Sequence, residues 1–525
     1  MASMTPKPFG DSSPAAIAVV KAVSFLDPNS IKKDMLATKK HLFSDYPIGM
    51  DMLMTALREL ETSEFFSPST NETFSINANV PENVRNMLDN TEWTSIFRGI
   101  VSLLSASWPF TEFKNRNITA RWATYKTYIP HCTQLRNLLQ EKWRVEKFDA
   151  GIETAKLFND AAWYMCEIAA HDEIERYALA SLKVLDSIAP NDQPKLQRQI
   201  KDIRISSELG IAISGQSTGD AGKAFRHAER ALKIVNELED LDPETDSLPR
   251  AICYNNMAIA QNIVGFTDES LLTWKNSLES FSKSRGSVPL DRTWPTVNSA
   301  LEYCHRGEAG KASNLTSLKN EMDKARPPRE PEVLENGRII EGEERDDTTS
   351  SETGAILRAL GHMNAGLGSP YLALGFHKRA LLNLRATLGN NHFQTADCMY
   401  NVAQDYLKLE PEGHTREIPS RVPRRERESR VHDRKVEAEL HKREASKLLD
   451  EAIAVWGDDP WYKKSAARAL WRKGRLLLED GEAAQAEEYL RKAMEIRRVI
   501  APYDKRDETE LVEKDWTDLI YFYSR

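Results

Sequence analysis

Cysteine is scarce and scattered. The 525 residues hold five, at positions 132, 166, 253, 304 and 398, and none forms a C-x-x-C pair. That excludes a disulfide-stapled scaffold and a cysteine-based structural zinc site. No run of 18 apolar residues occurs, so the sequence offers no membrane-spanning helix. Residues 1–10 lack a basic stretch leading into an apolar one, so a signal peptide is not supported. Positive charge is not in excess: 71 Lys and Arg face 79 Asp and Glu, for a net charge of −8. A general phosphate-binding surface is therefore not expected. Eleven histidines are spread along the chain without an HExxH or HxxEH pattern, so no metal is expected. The phosphate-binding string G-x(4)-G-K-[ST] is absent as well. Its nearest approaches, Ala221-Gly-Lys-Ala224 and Ala309-Gly-Lys-Ala312, lack the upstream glycine and the following Ser or Thr. These absences predict a cytoplasmic, non-enzymatic protein with no cofactor, no catalytic residues, no nucleic-acid partner and no membrane association.

Helical periodicity is what the sequence does carry. Hydrophobic residues make up 41% and charged residues 29%, enough for a packed core. Segments of about 15–20 residues repeat apolar side chains at i, i+3, i+4 and i+7 between short Gly, Asp or Pro turns. The best strand candidate is residues 72–77. Small residues recur with gaps of 12 and then 7: Ala212, Ala224 and Ala231; Ala258, Ser270 and Ser277; Gly361, Ala373 and Ala380; Gly474, Ala486 and Ala493. Two further sets match in part. Ala162 and Ser181 flank Ile174, and Ala300 and Ala312 are followed by Lys319. One set is split, with Ala403 lying 42 residues before Ala445, which Ala452 follows after 7. About 30 extra residues are thus predicted inside that hairpin, where the charged stretch 411–444 lies.

That spacing resembles the tetratricopeptide repeat, whose paired helices cross at positions 8, 20 and 27. Ala386-Thr-Leu-Gly-Asn-Asn-His392, followed by Thr395-Ala396, resembles the kinesin-light-chain type, with Phe393 in place of its proline. The resemblance implies an all-α fold. About seven helical hairpins form a TPR superhelix over residues 149–525, with a disordered loop at 326–353, a charged insertion at 411–444 and a cap helix at 506–524. Nearer the start, Val23-Ser-Phe-Leu-Asp-Pro-Asn-Ser-Ile31 and Phe74-Ser-Ile-Asn77 with Val84-Arg85 resemble the winged-helix region of fungal STAND proteins. Residues 96–139, through Trp122, Pro130-His131 and Leu135, resemble the connector those proteins place before their repeats. This implies a winged-helix-like remnant at 15–90 and a helical connector at 91–148. Without a P-loop, the expectation is the sensor half of such a protein, its nucleotide-binding domain lost or omitted upstream.

Several strings mimic chemistry. Gly215-Gln-Ser-Thr-Gly219 matches the G-x-S-x-G nucleophile elbow, yet it falls between two helices rather than after a strand, and reads as a turn. His414, His432 and His441 sit in the charged insertion and read as solvated. In Arg421-Val-Pro-Arg-Arg-Glu-Arg427 the interleaved glutamate and the lack of aromatics argue against nucleic acid. One constellation stands out. In tetratricopeptide arrays, positions 2, 5, 6 and 9 of the first helix of each hairpin face the concave groove. The phase puts Arg358 and His362 there in one repeat, Asn401 in the next, and Arg468 and Arg472 in the third. This is similar to the carboxylate clamp of chaperone-binding tetratricopeptide domains, which grips a peptide's terminal carboxylate by charge-assisted hydrogen bonds. The expected function is therefore an interaction scaffold or sensor that takes a protein or peptide partner, with an acidic C-terminal tail as the partner chemistry to test. Two alternatives remain open: a truncated STAND-type signalling or incompatibility protein, and an accessory protein of a fungal biosynthetic pathway.

Overall fold

Every small residue picked out by the repeat spacing is buried, from Ala162 at 1% exposure to Ala493 at 0%. The computed structural model describes residues 12–38, 40–61, 66–67, 72–110, 119–145, 148–189, 193–238, 247–284, 289–325, 332–333, 339–340, 350–409 and 424–520. Contacts divide the chain into two compact units. One comprises Met1–Gly215 with Arg226–Glu237, the other Gln216–Phe225 with Leu238–Arg525.

The first unit opens with a small domain. Helix α1 (Pro14–Val23) starts where the Ser13 hydroxyl accepts the Ala16 N–H at 3.2 Å and Pro14 fills the first turn. Strand β1 (Ile31–Lys32), helix α2 (Met50–Glu61), strands β2 (Phe66–Ser67) and β3 (Thr73–Ile76) and helix α3 (Val80–Arg85) follow. The strands pair antiparallel in the order β1-β3-β2, with Ile31 opposite Phe74 and Phe66 opposite Ile76. This small domain, where the sequence predicts a winged-helix-like remnant, holds three strands where the sequence showed one. Two of them are only two residues long, too short to display alternation. Phe25, fully buried, meets Trp93 edge-on at 5.2 Å. Trp93 belongs to α4 (Asn90–Ser107), capped by Asp89, and α5 (Trp122–Val145) runs on through Pro130. Helices α6 (Ile152–Glu167) and α7 (His171–Ser187) form the first repeat. Buried Asp160 of α6 takes hydrogen bonds from Trp108 Nε1 and the Tyr125 hydroxyl, both at 2.8 Å, and so ties the preceding segment to the repeat.

Helices α8 (Pro194–Thr218) and α9 (Ala221–Asn236) come next. The second unit then pairs α10 (Ser247–Val264) with α11 (Thr267–Lys283), and α12 (Thr293–His305) with α13 (Ser313–Ala325). It continues with α14 (Ser351–Gly366) and α15 (Pro370–Thr387), α16 (Phe393–Lys408) and α17 (Arg424–Trp456), and α18 (Lys463–Glu479) and α19 (Ala483–Ile500). With α6–α7 and α8–α9 this makes seven hairpins of tetratricopeptide type among the described residues. We call the first helix of each hairpin helix A.

Two backbone devices repeat along the array. The first is the close crossing. A Cβ on Gly361 would collide with the His377 ring, and one on Gly474 would stand 2.6 Å from Leu490 Cγ. The second is the turn. Seven residues after the small residue of helix A, in five of the seven hairpins, stands a glycine with positive φ: Gly219, Gly265, Gly307, Gly368 and Gly481, at 74–101°. In the first repeat the same place is taken by Ala169, at φ 59°. The next N–H closes the helix end onto a carbonyl five residues back, as in Ala170 to Met165 (2.9 Å), Phe266 to Gln261 (2.8 Å) and Glu482 to Leu477 (2.9 Å).

Three expected boundaries differ. The loop predicted through residue 353 ends by 350, because Ser350 caps α14 and Ser351, Glu352 and Thr353 are buried in its first turn. A Ser/Thr-rich composition there signals a cap rather than disorder. Within 326–353, residues 332–333 pair antiparallel with 339–340, and the remainder up to 349 lies outside the described residues. In the charged insertion, 411–423 also lie outside them, while 424–444 form the leading two thirds of α17. The cap predicted as one helix over 506–524 is instead a turn at Glu508–Glu510 and a short α20 (Glu513–Thr517), with 521–524 outside the described residues. Its anchor is Trp516, fully buried and stacked on Trp471 at 5.8 Å.

Replacing Gly361 or Gly474 with Leu should lower stability by about 1–3 kcal/mol through overpacking, read as a shift in the urea midpoint. An unchanged midpoint in both would refute the crossing assignment. Ala169→Gly should act in the opposite sense and raise stability by roughly 0.5–1 kcal/mol, since it relieves a left-handed conformation that costs an L-residue about 1 kcal/mol or more. A lower midpoint would show that the alanine methyl matters more than the backbone strain.

Candidate functional site

Helices α14, α16 and α18 are the A helices of the last three repeats, so residues at matching phase come together on one face. Arg358 on α14 is 7% exposed, with Nη1 3.9 Å from Asp397 Oδ2 on α16. His362, one turn further along, accepts a hydrogen bond at Nε2 from Asn401 Nδ2 at 3.0 Å. Only a neutral ring can accept there. Burial, and then the nearby positive groups His377, Arg358, Lys408 and Arg468, hold this imidazole well below the usual histidine range. Arg468 on α18 is 1% exposed and lays its guanidinium 3.9 Å over the Tyr400 ring of α16. Burial in turn pushes the Tyr400 phenol upward. Arg472, one turn beyond Arg468, is half-buried, with Nη1 3.9 Å from Glu479 Oε1.

The structure thus brings Arg358, His362, Asn401 and Arg468 into one cluster with Arg472 at its edge. They differ in accessibility. Arg468 is packed away behind Tyr400, whereas Arg472 reaches solvent, as does Lys408 at the end of α16. Buried Asp397 and Asp405, at 2% and 4% exposure, stand among the cations and offset part of their charge.

Sequence reasoning missed the residue at the centre of this cluster. His377 on α15 fills the gap left by Gly361. Its Nδ1 lies 2.5 Å from Asp405 Oδ2 and its Nε2 lies 3.0 Å from the Arg358 carbonyl. Its edge also faces the His362 ring, 4.8 Å away. The available signal was a histidine on the apolar i, i+4, i+7 face of α15, between Ala373 and Ala380. A second missed residue is Tyr400, a groove-position aromatic overshadowed by Asn401 beside it.

The other singled-out residues lie apart from this cluster. Gly215 to Thr218 form the last turn of α8 and Gly219 follows at φ 78°, so the G-x-S-x-G string has no strand leading into it. His414 and residues 421–423 lie outside the described residues, while His432 and Arg424 to Arg427 lie on α17. The His441 ring, also on α17, packs 5.0 Å from Tyr406. Burial pushes His131 of α5 down to about 4. Among the described residues no group of three or more His, Cys, Asp or Glu is placed to hold a metal ion. No helix among them is long and apolar enough to cross a membrane.

No protein-family model matches the chain, and no curated protein matches it. Solved structures do align with it. The apo form of RapI does so at 13% identity and a TM-score of 0.41, over 81% of this chain and 91% of that one. A Rap protein complexed with competence and sporulation factor aligns at 10% identity and 0.35, over 81% and 92%. The Cut9–Hcn1 hetero-tetramer of the APC/C aligns at 12% identity and 0.36, over 89% and 79%. The fold assignment rests on the helix pairs described above rather than on these alignments.

The contrast between the two α18 arginines can be measured. Arg468→Ala should cost about 2 kcal/mol or more of stability, because it opens a cavity against Tyr400 and removes a buried cation–π contact. Arg472→Ala should stay within about 0.5 kcal/mol of wild type. Equal losses in urea denaturation would contradict this placement.

Proposed function

We propose that the chain is a non-enzymatic interaction scaffold whose A-helix face on α14, α16 and α18 holds an acidic segment of a protein or peptide partner. One observation carries the reading: Arg358, His362, Asn401, Arg468 and Arg472, drawn from three separate repeats, lie on one face, with Asn401 bonded to His362 and Arg468 laid over Tyr400. A converging set of guanidinium, amide and imidazole groups suits a carboxylate, which accepts charge-assisted hydrogen bonds stronger than those between neutral groups. The buried members fix the geometry. Tyr400 and Asp397 hold Arg468 and Arg358, so little side-chain freedom is lost on binding. Arg472 and Lys408, which reach solvent, are the groups that meet the partner. A partner's terminal carboxylate and an internal run of Asp or Glu share this chemistry.

A second reading has its own support. Phe25 and Leu26 of the motif that resembles STAND proteins are buried in the core of the small domain, whose strands follow a winged-helix order. On that reading the scaffold is the sensing portion of a signalling protein, and its nucleotide switch is supplied elsewhere.

The test is affinity capture from the source cell's lysate with wild type and Arg472→Glu as bait. The charge reversal spares the buried Arg468. The expected result is a partner recovered with wild type and lost with the variant at unchanged melting temperature. Recovery of the same partner by both would remove this face as the binding site.

A further inference from the structure

Residues 504–518 carry seven acidic side chains against three basic ones. Local bonds shape the segment. Asp507 and Glu510 cap each other, with Asp507 N–H donating to Glu510 Oε2 at 2.8 Å and Thr509 N–H to Asp507 Oδ1 at 2.9 Å. Arg497 of α19 grips it from the side, with Nη2 2.7 Å from Asp504 Oδ2 and Nη1 3.0 Å from the Asp515 carbonyl. Trp516 then plugs into the flank of α18 and α19, lying 5.8 Å from Trp471 and 5.0 Å from the Arg497 guanidinium.

Anchored this way, the segment lays two carboxylates on the A-helix face. Glu508 Oε1 accepts from Trp471 Nε1 at 3.2 Å and lies 3.6 Å from Arg475 Nη1. Trp471 and Arg475 hold positions 5 and 9 of the last repeat. Glu513 Oε1 lies 3.5 Å from the Tyr400 hydroxyl, at position 5 of the repeat before it. Tyr400 is the ring that Arg468 covers. Capping the last hairpin requires contact with α18 and α19 alone. Reaching α16 is more than capping needs, and the reach places acidic side chains on groove positions of two successive repeats.

The geometry points to residues 504–518 as an intramolecular ligand of the cationic face: Glu508 and Glu513 occupy its end, and an acidic partner segment binds by displacing them. This rests on the reading of that face as a carboxylate-binding surface. Competition follows from the arrangement. The apparent affinity for an outside segment is reduced by the fraction of molecules in which the two glutamates are seated. Trp516 keeps the segment tethered, so its local concentration stays high and it returns when the partner leaves.

The probe is a fluorescein-labelled hexaglutamate peptide, titrated by anisotropy at low salt into full-length wild type, Glu508→Gln/Glu513→Gln and Arg472→Glu. The expected result is at least fivefold tighter binding by the double variant than by wild type, and at least tenfold weaker binding by Arg472→Glu. Equal affinity of wild type and the double variant, with Arg472→Glu still weak, would overturn the intramolecular ligand and leave the face intact as a binding site. Absence of binding to every form would overturn both readings. If the double variant loses thermal stability, Glu513→Gln alone serves, because the Glu508 contacts remain. Amide hydrogen exchange of 504–518 in wild type gives a second readout. Saturating peptide should speed it at least fivefold if the segment is displaced, and unchanged exchange would overturn the proposal.

Discussion

Two helix backbones approach closely only where no side chain stands between them, and this array is built on that restriction. Each hairpin offers a Gly, Ala or Ser where its A helix crosses its partner, and in six of the seven a left-handed residue seven positions later turns the chain back. The candidate binding face depends on the same restriction. Because residue 361 is glycine, the His377 ring enters the crossing, reaches the Arg358 carbonyl and bonds to Asp405. A larger residue there would remove the crossing and the polar network together. Scaffold and site are therefore one piece of packing at this repeat.

The face balances opposing demands on charge. Burying an arginine costs several kcal/mol unless it is paired or stacked. Arg358 sits near Asp397, and Arg468 lies on Tyr400 with its charge spread over a π face. These arrangements hold cations close to the surface without leaving them in bulk water. In a chain whose net charge is −8, such a local concentration of positive groups gives direction to an approaching acidic segment within about a Debye length.

Periodicity made the repeats readable from sequence, since a crossing tolerates few residue types and recurs at fixed intervals. The split repeat was readable for the same reason: Ala403, Ala445 and Ala452 keep their phase on either side of the insertion, and all three are fully buried. Boundaries were less visible. Ser350 and Thr353 look alike in a loop and in a cap, and only the bond from Glu352 N–H to Ser350 Oγ separates the two. Within the site, the repeat phase located Arg358, His362, Asn401, Arg468 and Arg472. It did not reveal that Arg468 is covered, because burial of a groove residue depends on the neighbour at position 5. His377 lay hidden on a helix face where histidine reads as one more core residue. The contact between Glu513 and Tyr400 joins residues more than a hundred positions apart, and no local pattern encodes it.

The insertion in the sixth hairpin also bears on the order in which the array assembles. Most of these hairpins close through a turn of a few residues. This one sets Ala403 and Ala445 42 residues apart where the full repeats have 12, which adds about 1 kcal/mol of loop-closure entropy. Repeat arrays fold outward from whichever neighbours form first, so α16 and α17 are poorly suited to begin the process. Their neighbours hold the means to complete it. Arg385 of α15 pairs with Glu451 at 2.6 Å, and Lys473 of α18 pairs with Asp450 at 2.8 Å. Helix α17 is thus held from both sides by the neighbouring repeats. The hairpin that supplies Tyr400 and Asn401 therefore carries the largest closure cost, and contacts from both neighbouring repeats offset it.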